Sequence, residues 1–377
     1  MPNDYSASLL EKAKILQEDI YRTNATTNRV LSNTPVTVAS VMEKQTANVS
    51  PIMDGAGNDC VGVTVFYPEM DDQTVGGVSS TPLVSDCEIP DGDTYSTASK
   101  DYDLNVFKDQ FFTINDKDCD NEFKFAERVA FGLSTTLHKM ALSLNNHMIS
   151  VLDTNKSTPV AANLPDNVTI VGGEYTITGA QFWTGIEAAQ IIPVLDQLAL
   201  INGLPDNYYI ISGKSLQIAY NYSRDRALND NERSYTQTFQ GRDITFDPKN
   251  LDPIITEDAI YLVDPNVWAC YFHQEYSEEM VQTDDENNTI THAIPLDFFS
   301  QYQNGDNMRQ TLQYMNQLQP QNVMVNVSYQ KKCNTTSNKY GFRTHNHKWE
   351  LKLAGLIDLI PRTDNFGTGI IRVNKAI

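Results

Sequence analysis

The proline-free run from residue 121 to residue 152 restricts this chain more than any other stretch. Ala126, Val129, Ala130, Leu133, Leu137, Met140, Ala141, Leu144, Met148, Val151 and Leu152 recur at spacings of three and four and form one apolar stripe. The spacing predicts a single helix of about 30 residues, roughly 45 Å long at ~1.5 Å per residue, where about 11–12 residues is usual. An apolar stripe of that length needs a partner of similar length. Gly132 and the small Ala126, Ala130 and Ala141 permit close approach, which favours packing on a sheet or helix of the same chain over a coiled coil. The run reads as a spine.

The approach to the spine, NDKDCDNEF, places Asp116, Asp118, Asp120 and, further on, Glu127 at the first, third, fifth and twelfth positions of a calcium loop. Asn121 stands sixth, where the sharp turn of such a loop needs Gly, and the preceding segment alternates like a strand rather than an entering helix. Carboxylates also gather at helix N-termini, where the macrodipole and unpaired N–H groups favour negative charge. The four carboxylates are therefore expected to line the start of the spine without an obligatory ion, a calcium site being the other reading.

Elsewhere the pattern changes repeatedly. Residues 6–23 space Leu9, Leu10, Ala13, Leu16 and Ile20 as a short amphipathic helix, and a polar arm follows. VGVTVFYP sets Val61, Val63, Val65 and Tyr67 on one face of a strand that Pro68 ends, and DYDLNVFKDQFFTI is a second extended run. The polar residues between them, about thirty, predict a long projecting hairpin. Past Pro159 come strands in NVTIVGGEYTIT, then a helix from about Thr184, which Gly203 and Pro205 end and Pro193 kinks or restarts. NYYIIS follows as a buried strand, GKSLQIAYNYS as a helix, and DITFDP and AIYLV as further strands, which gives α/β or α+β character. DNMRQTLQYMNQL is a helix ended by Pro320, after which NVMVNVSYQ and HKWELKLAGLIDLIP are long strands leading to a short tail.

Local chemical motifs are weak. The strand running into Gly213, Lys214 and Ser215 resembles a phosphate-binding loop, but Tyr208 stands where that loop needs its first glycine. His345 and His347 share one side of a strand and supply at most two metal ligands, with no third or fourth evident. Neither a Gly-x-Ser-x-Gly elbow nor an HExxH helix occurs. No catalytic residue, cofactor site or metal site is expected.

Charge sharpens these exclusions. With 28 Lys and Arg against 48 Asp and Glu, the chain of 377 residues carries −20, which argues against gripping nucleic acid by phosphate neutralisation. Cys60, Cys87, Cys119, Cys270 and Cys333 contain no CxxC pair and read as reduced thiols. The N-terminus lacks a basic segment followed by an apolar core, and no eighteen apolar residues run together, so neither secretion by that route nor a membrane span is expected. The charges also segregate. Residues 54–122 hold 16 Asp and Glu against three Lys, a net of −13, whereas residues 321–377 hold nine Lys and Arg against three acids, a net of +6. The acidic hairpin is expected to lie across the basic strands of a second copy, near Lys331, Lys332, Arg343 and Lys348; contact within one chain is the alternative.

The order of elements carries a resemblance. DYDLNVFKDQFFTI leading into residues 122–152, NYYIISGKSLQIAY with AIYLVDPNVWACYF, and HKWELKLAGLIDLIP with its tail together resemble the major capsid proteins of tailed double-stranded DNA bacteriophages, the fold of Hong Kong phage 97. The resemblance implies an α+β chain with an N-terminal arm over residues 1–58 and an extended hairpin loop over 59–104. A peripheral domain with the spine would cover 105–160, an axial α/β domain with insertions 161–304, and returning strands and a tail 305–377. It implies a structural capsid subunit without enzymatic activity, self-assembling into hexamers and pentamers of an icosahedral shell around packaged phage DNA. The location implied is the virion, with assembly in the host bacterial cytoplasm. Partners implied are copies of itself and portal, scaffold or decoration proteins, with no sequence-specific nucleic acid and no membrane. The other readings are a calcium- or nucleotide-binding α+β enzyme, or another virion or surface-layer subunit.

Overall fold

The computed structural model describes residues 36–45, 47–54, 60–68, 97–115, 122–179, 183, 190–217, 236–239, 242–255, 259–276, 281–284, 289–296, 323–333, 345–362 and 367–376. These form a mixed α+β fold of three sheets. The first is antiparallel, with β1 (Asn48–Met53), β2 (Cys60–Pro68) and β3 (Thr97–Asp103) in that order. The second runs β11 (Trp268–His273), β15 (His345–Leu359), β14 (Met324–Cys333), β13 (Thr289–Pro295) and β12 (Val281–Asp284), with β4 (Val106–Asn115) on the other edge of β15. The third is seven-stranded: β5 (Val168–Val171), β6 (Glu174–Ile177), β16 (Ile370–Lys375), β10 (Ala259–Val263), β7 (Tyr209–Ser212), β9 (Arg242–Phe246) and β8 (Thr236–Phe239). Helices α1 (Val36–Lys44), α2 (Glu122–Thr154), α3 (Ile191–Ile201) and α4 (Pro248–Ile254) cover them.

Helix α2 is the expected spine, 33 residues long. Val129, Leu133, Leu144, Met148 and Leu152 are fully buried, and so is Ile149. The stripe packs against the inner face of the second sheet, where Val106, Phe112 and Ile114 of β4 lie beside Trp349, Leu351 and Leu353 of β15 and Val325, Val327 and Tyr329 of β14. Gly132 permits the close approach that the small residues imply: a Cβ there would stand 2.6 Å from Phe112 Cε2. Near the start of the helix, Trp349 stacks on Phe112 with ring centroids 4.8 Å apart and 7° between planes, and Phe125 of α2 meets His347 edge-on at 4.6 Å. At its end, the Tyr261 hydroxyl donates to Asp153 at 2.8 Å. Arg372 of β16 pairs with Asp153 at 2.8 Å and with Glu174 of β6 at 3.1 Å, and Lys156 pairs with Glu174 at 2.6 Å. This charged knot ties the end of the spine to the seven-stranded sheet. Burial pushes Asp153 upward, but the bonds from Tyr261 and Lys156 and the charges of Arg372 and Lys156 bring it below the ordinary carboxylate value.

The inner face makes the fold acid-sensitive. His292 of β13, opposite Val327, is fully buried, and burial pushes it down to about 4. Burial also lowers His138 and His147 of the spine, with Lys108 adding to the effect at His147. A histidine lowered in the folded chain leaves stability intact above its ordinary value of 6.5 and removes it as pH falls toward about 4, because the unfolded chain takes up the proton first. Urea denaturation should therefore report a loss near 2 kcal/mol, about what His292 alone contributes, between pH 7 and pH 5. His292→Gln should reduce that loss; an equal loss in the variant would exclude His292 as a source.

Three expectations are corrected. The second extended run is not one strand: it breaks at Leu104 and Asn105, β3 pairing with β2 and β4 with β15. The Asn105 side chain stands in for a strand residue at the break, donating to the Ile357 carbonyl at 2.9 Å and accepting from its N–H at 3.0 Å. The polar arm holds α1, whose Val38, Val41 and Met42 enter the core. Ile370–Lys375 is no tail but β16, parallel to β6 and antiparallel to β10. The helices expected over residues 6–23 and 306–318 lie outside the described residues. No described helix is long and apolar enough to cross a membrane.

Candidate functional site

Register alternation places Phe107, Asp109, Phe111 and Thr113 of β4 on the outer face of the second sheet, opposite the spine. Their partners on β15 are Ala354, Lys352, Glu350 and Lys348, and Lys332 of β14 lies on the same face. Phe107 is 66% and Phe111 79% exposed, two rings about 13 Å apart along the strand. Lys332 and Lys348 are exposed, and Lys352 reaches Glu350 at 3.2 Å. Lys331, expected beside Lys332 and Lys348, faces the other way in register with His347, and Arg343 lies outside the described residues.

The three-stranded sheet packs on this same outer face, but at the far end of β15. Val63, Val65 and Tyr102 meet Ala269, Leu356 and Ile360. The Cys60 thiol bonds the Tyr271 hydroxyl, and Tyr271 pairs with Leu356. Tyr102, opposite Val63, donates from its hydroxyl to the Leu359 carbonyl at 2.8 Å. Passing from Cys60 to Val63 thus moves along β15 from Leu356 toward Leu359, so β2 leads toward Pro68 away from Lys352 and Lys348. Lys348 and Leu359 are themselves roughly 35 Å apart along the strand at ~3.3 Å per residue. Strand β2 therefore ends at Pro68, and β3 begins at Thr97, on the side away from the basic half of β15; residues 69–96, which join them in the sequence, hold seven Asp and Glu and no Lys or Arg.

The other candidate motifs do not converge on a reactive centre. His347 is 2% exposed with Nδ1 2.7 Å from the Tyr329 hydroxyl, inside the aromatic cluster beneath the spine. His345 opens the same strand, but among the described residues no three His, Cys, Asp or Glu side chains are grouped to hold a metal. At Gly213 the Asp252 carboxylate stands where a Cβ would project, so a negative charge, unfavourable to a phosphate, lies beside the turn into Lys214 and Ser215. Asp116, Asp118 and Asp120 lie outside the described residues; Glu127 falls within α2, its side chain outside them. Cys60 and Cys270 are free thiols. Sequence reasoning missed Phe107 and Phe111 as surface groups, because FKDQFF reads as an ordinary strand until its register with β15 is known.

No family model matches the chain, and no curated protein does. Solved structures similar to it include one from Mycobacterium phage Che8, 11% identical with a TM-score of 0.34, over 87% of this chain and 92% of that one. The asymmetric unit of the bacteriophage PhiM1 mature capsid is 11% identical with a TM-score of 0.39, over 86% and 83%. The satellite phage P4 procapsid including size determination protein is 10% identical with a TM-score of 0.34, over 90% and 98%.

Proposed function

We propose that this chain is a structural subunit of a phage shell, a major capsid protein of the Hong Kong 97 type that assembles with its own copies into hexamers and pentamers around packaged DNA. In this reading β1–β3 are the base of the extended loop, the second sheet and the spine form the peripheral domain, and the seven-stranded sheet belongs to the axial domain. The protein has no catalytic role, resides in the virion after assembly in the bacterial cytoplasm, and meets portal, scaffold or decoration proteins there. The observation that carries the reading is the direction in which β2 and β3 point relative to the basic strands of their own chain. The strand ends that the acidic residues 69–96 join point away from the basic half of β15, and the outer face there exposes Lys348 of β15, Lys332 of β14 and Phe107 and Phe111 of β4. Such a pair of surfaces is complementary between copies rather than within one. Each exposed ion pair contributes under about 1 kcal/mol, but a closed shell repeats it many times.

Charge reversal tests this. Lys332→Glu with Lys348→Glu should abolish particle formation at physiological salt while circular dichroism and melting of the subunit stay unchanged, and Asp71→Lys with Asp72→Lys and Glu88→Lys in the same chain should restore it. Wild-type assembly should weaken as salt screens the contact. Undiminished assembly of the reversed variant, with unaltered salt dependence, would refute the contact.

A further inference from the structure

Helix α1 is seated by polar side chains as well as by its apolar face. The Asp247 carboxylate, 2% exposed at the start of α4, accepts from Thr37 Oγ1 of α1 at 2.8 Å, Asn145 Nδ2 of α2 at 2.9 Å and Asn250 Nδ2 of α4 at 2.7 Å. The Thr37 N–H points at it from 3.4 Å, and Asn145 Oδ1 accepts from the Val38 N–H at 2.9 Å. Two of the first N–H groups of α1 are thus met by side chains 210 and 107 residues away. Farther along, the Ser40 and Thr245 hydroxyls stand 2.7 Å apart, and the Gln45 amide exchanges two bonds with the Cys270 backbone, each 3.1 Å.

Every hydrogen-bond partner of Asp247 is neutral. The titratable groups on the elements around it include Glu43 and Lys44 of α1, His138, Lys139 and His147 of α2, Arg242 and Asp243 of β9, and Lys249 and Asp252 of α4. Lys44 is engaged by Asp243 at 2.5 Å. A carboxylate withdrawn from water without a cation loses solvation that neutral donors replace only in part.

We propose that Asp247 makes the docking of α1 proton-linked, so that the helix seats more tightly when this carboxylate is protonated and loosens as it ionises. Departure of α1 removes the Thr37 contacts and opens Asp247 to water, which returns it toward its ordinary value of 3.8; in the docked state burial holds it higher, with the bonds from Asn145, Thr37 and Asn250 opposing. The docking contribution is therefore full below the ordinary value and is lost as pH rises through the docked one. Burial raises Glu43 in the same direction, so a variant at Asp247 is needed to separate the two. The proposal stands whether or not the chain builds a shell.

Hydrogen exchange of the full chain between pH 4 and pH 8, corrected for intrinsic rates, tests it. Protection of amides 38–45 should fall with rising pH by up to about tenfold per unit within the window, while amides 140–152 of the spine show no such fall. Asp247→Asn should flatten the α1 profile at or above the wild-type acid level. Thr37→Val, which removes a donor to the ionised form, should move the fall to higher pH, and it decides the matter alone if Asp247→Asn does not fold. Wild-type protection that is flat or rises with pH, an unchanged course in Asp247→Asn, or an unmoved or lowered midpoint in Thr37→Val would overturn the proposal.

Discussion

Leu144→Ala should cost about 2–5 kcal/mol of folding stability, and Lys139→Ala, one turn or so away on the exposed side of the same helix, should change it by no more than about 0.5 kcal/mol. Leu144 is fully buried, with Ala141 and Met148 beside it on the stripe that meets the second sheet. Truncation there leaves a cavity that the spine is badly placed to close, since Gly132 already holds it against Phe112 and the Asp153 knot fixes its far end. Leu137, 8% exposed, should fall toward the lower end of the same range. Urea midpoints at pH 7 measure the difference directly. Equal tolerance of Leu144→Ala and Lys139→Ala would mean that α2 is not a packed spine.

Trp349→Ala should be as damaging, about 3–5 kcal/mol. The indole is fully buried at the middle of an aromatic group, stacked on Phe112, with the Tyr329 ring centroid 5.0 Å and that of Phe125 6.3 Å away. Offset and tilted ring pairs of this kind contribute about 0.5–1.5 kcal/mol each beyond the area they bury. Because the group joins β4, β14, β15 and the first turns of α2, its loss should reduce the near-ultraviolet circular dichroism of the folded chain along with the stability. Trp349→Phe keeps a ring against Phe112 and should lose less. A variant with Ala that melts as the wild type does would show that the cluster is not part of the cooperative core.

How much of this was legible in the sequence follows from the range over which each element is stabilised. The spine was legible because its 3.6-residue period runs without interruption and its partner is one continuous face. Strand β15 was legible because HKWELKLAGLIDL alternates between that face and the outer one. Helix α1 was not: Val36, Thr37, Val38 and Val41 favour extended backbone by local propensity, and what makes them helical is docking onto Asn145 and Asp247, far away in the chain. Strand β16 was not, because it is buried along almost its whole length and shows no alternation, and its partners β6 and β10 lie far upstream. The charge segregation of the candidate surface could be counted directly. Its geometry could not, since the direction of the hairpin depends on where Cys60 and Tyr102 meet β11 and β15, and the sequence assigned β3 and β4 to one strand.

The central claim is that this chain closes into a shell, and sedimentation velocity of the purified full-length protein tests it most directly. The account predicts a fast boundary from particles of many megadaltons that shrinks as salt is raised. A single slow boundary from a monomer or small oligomer, unchanged by protein concentration and by salt, would contradict it.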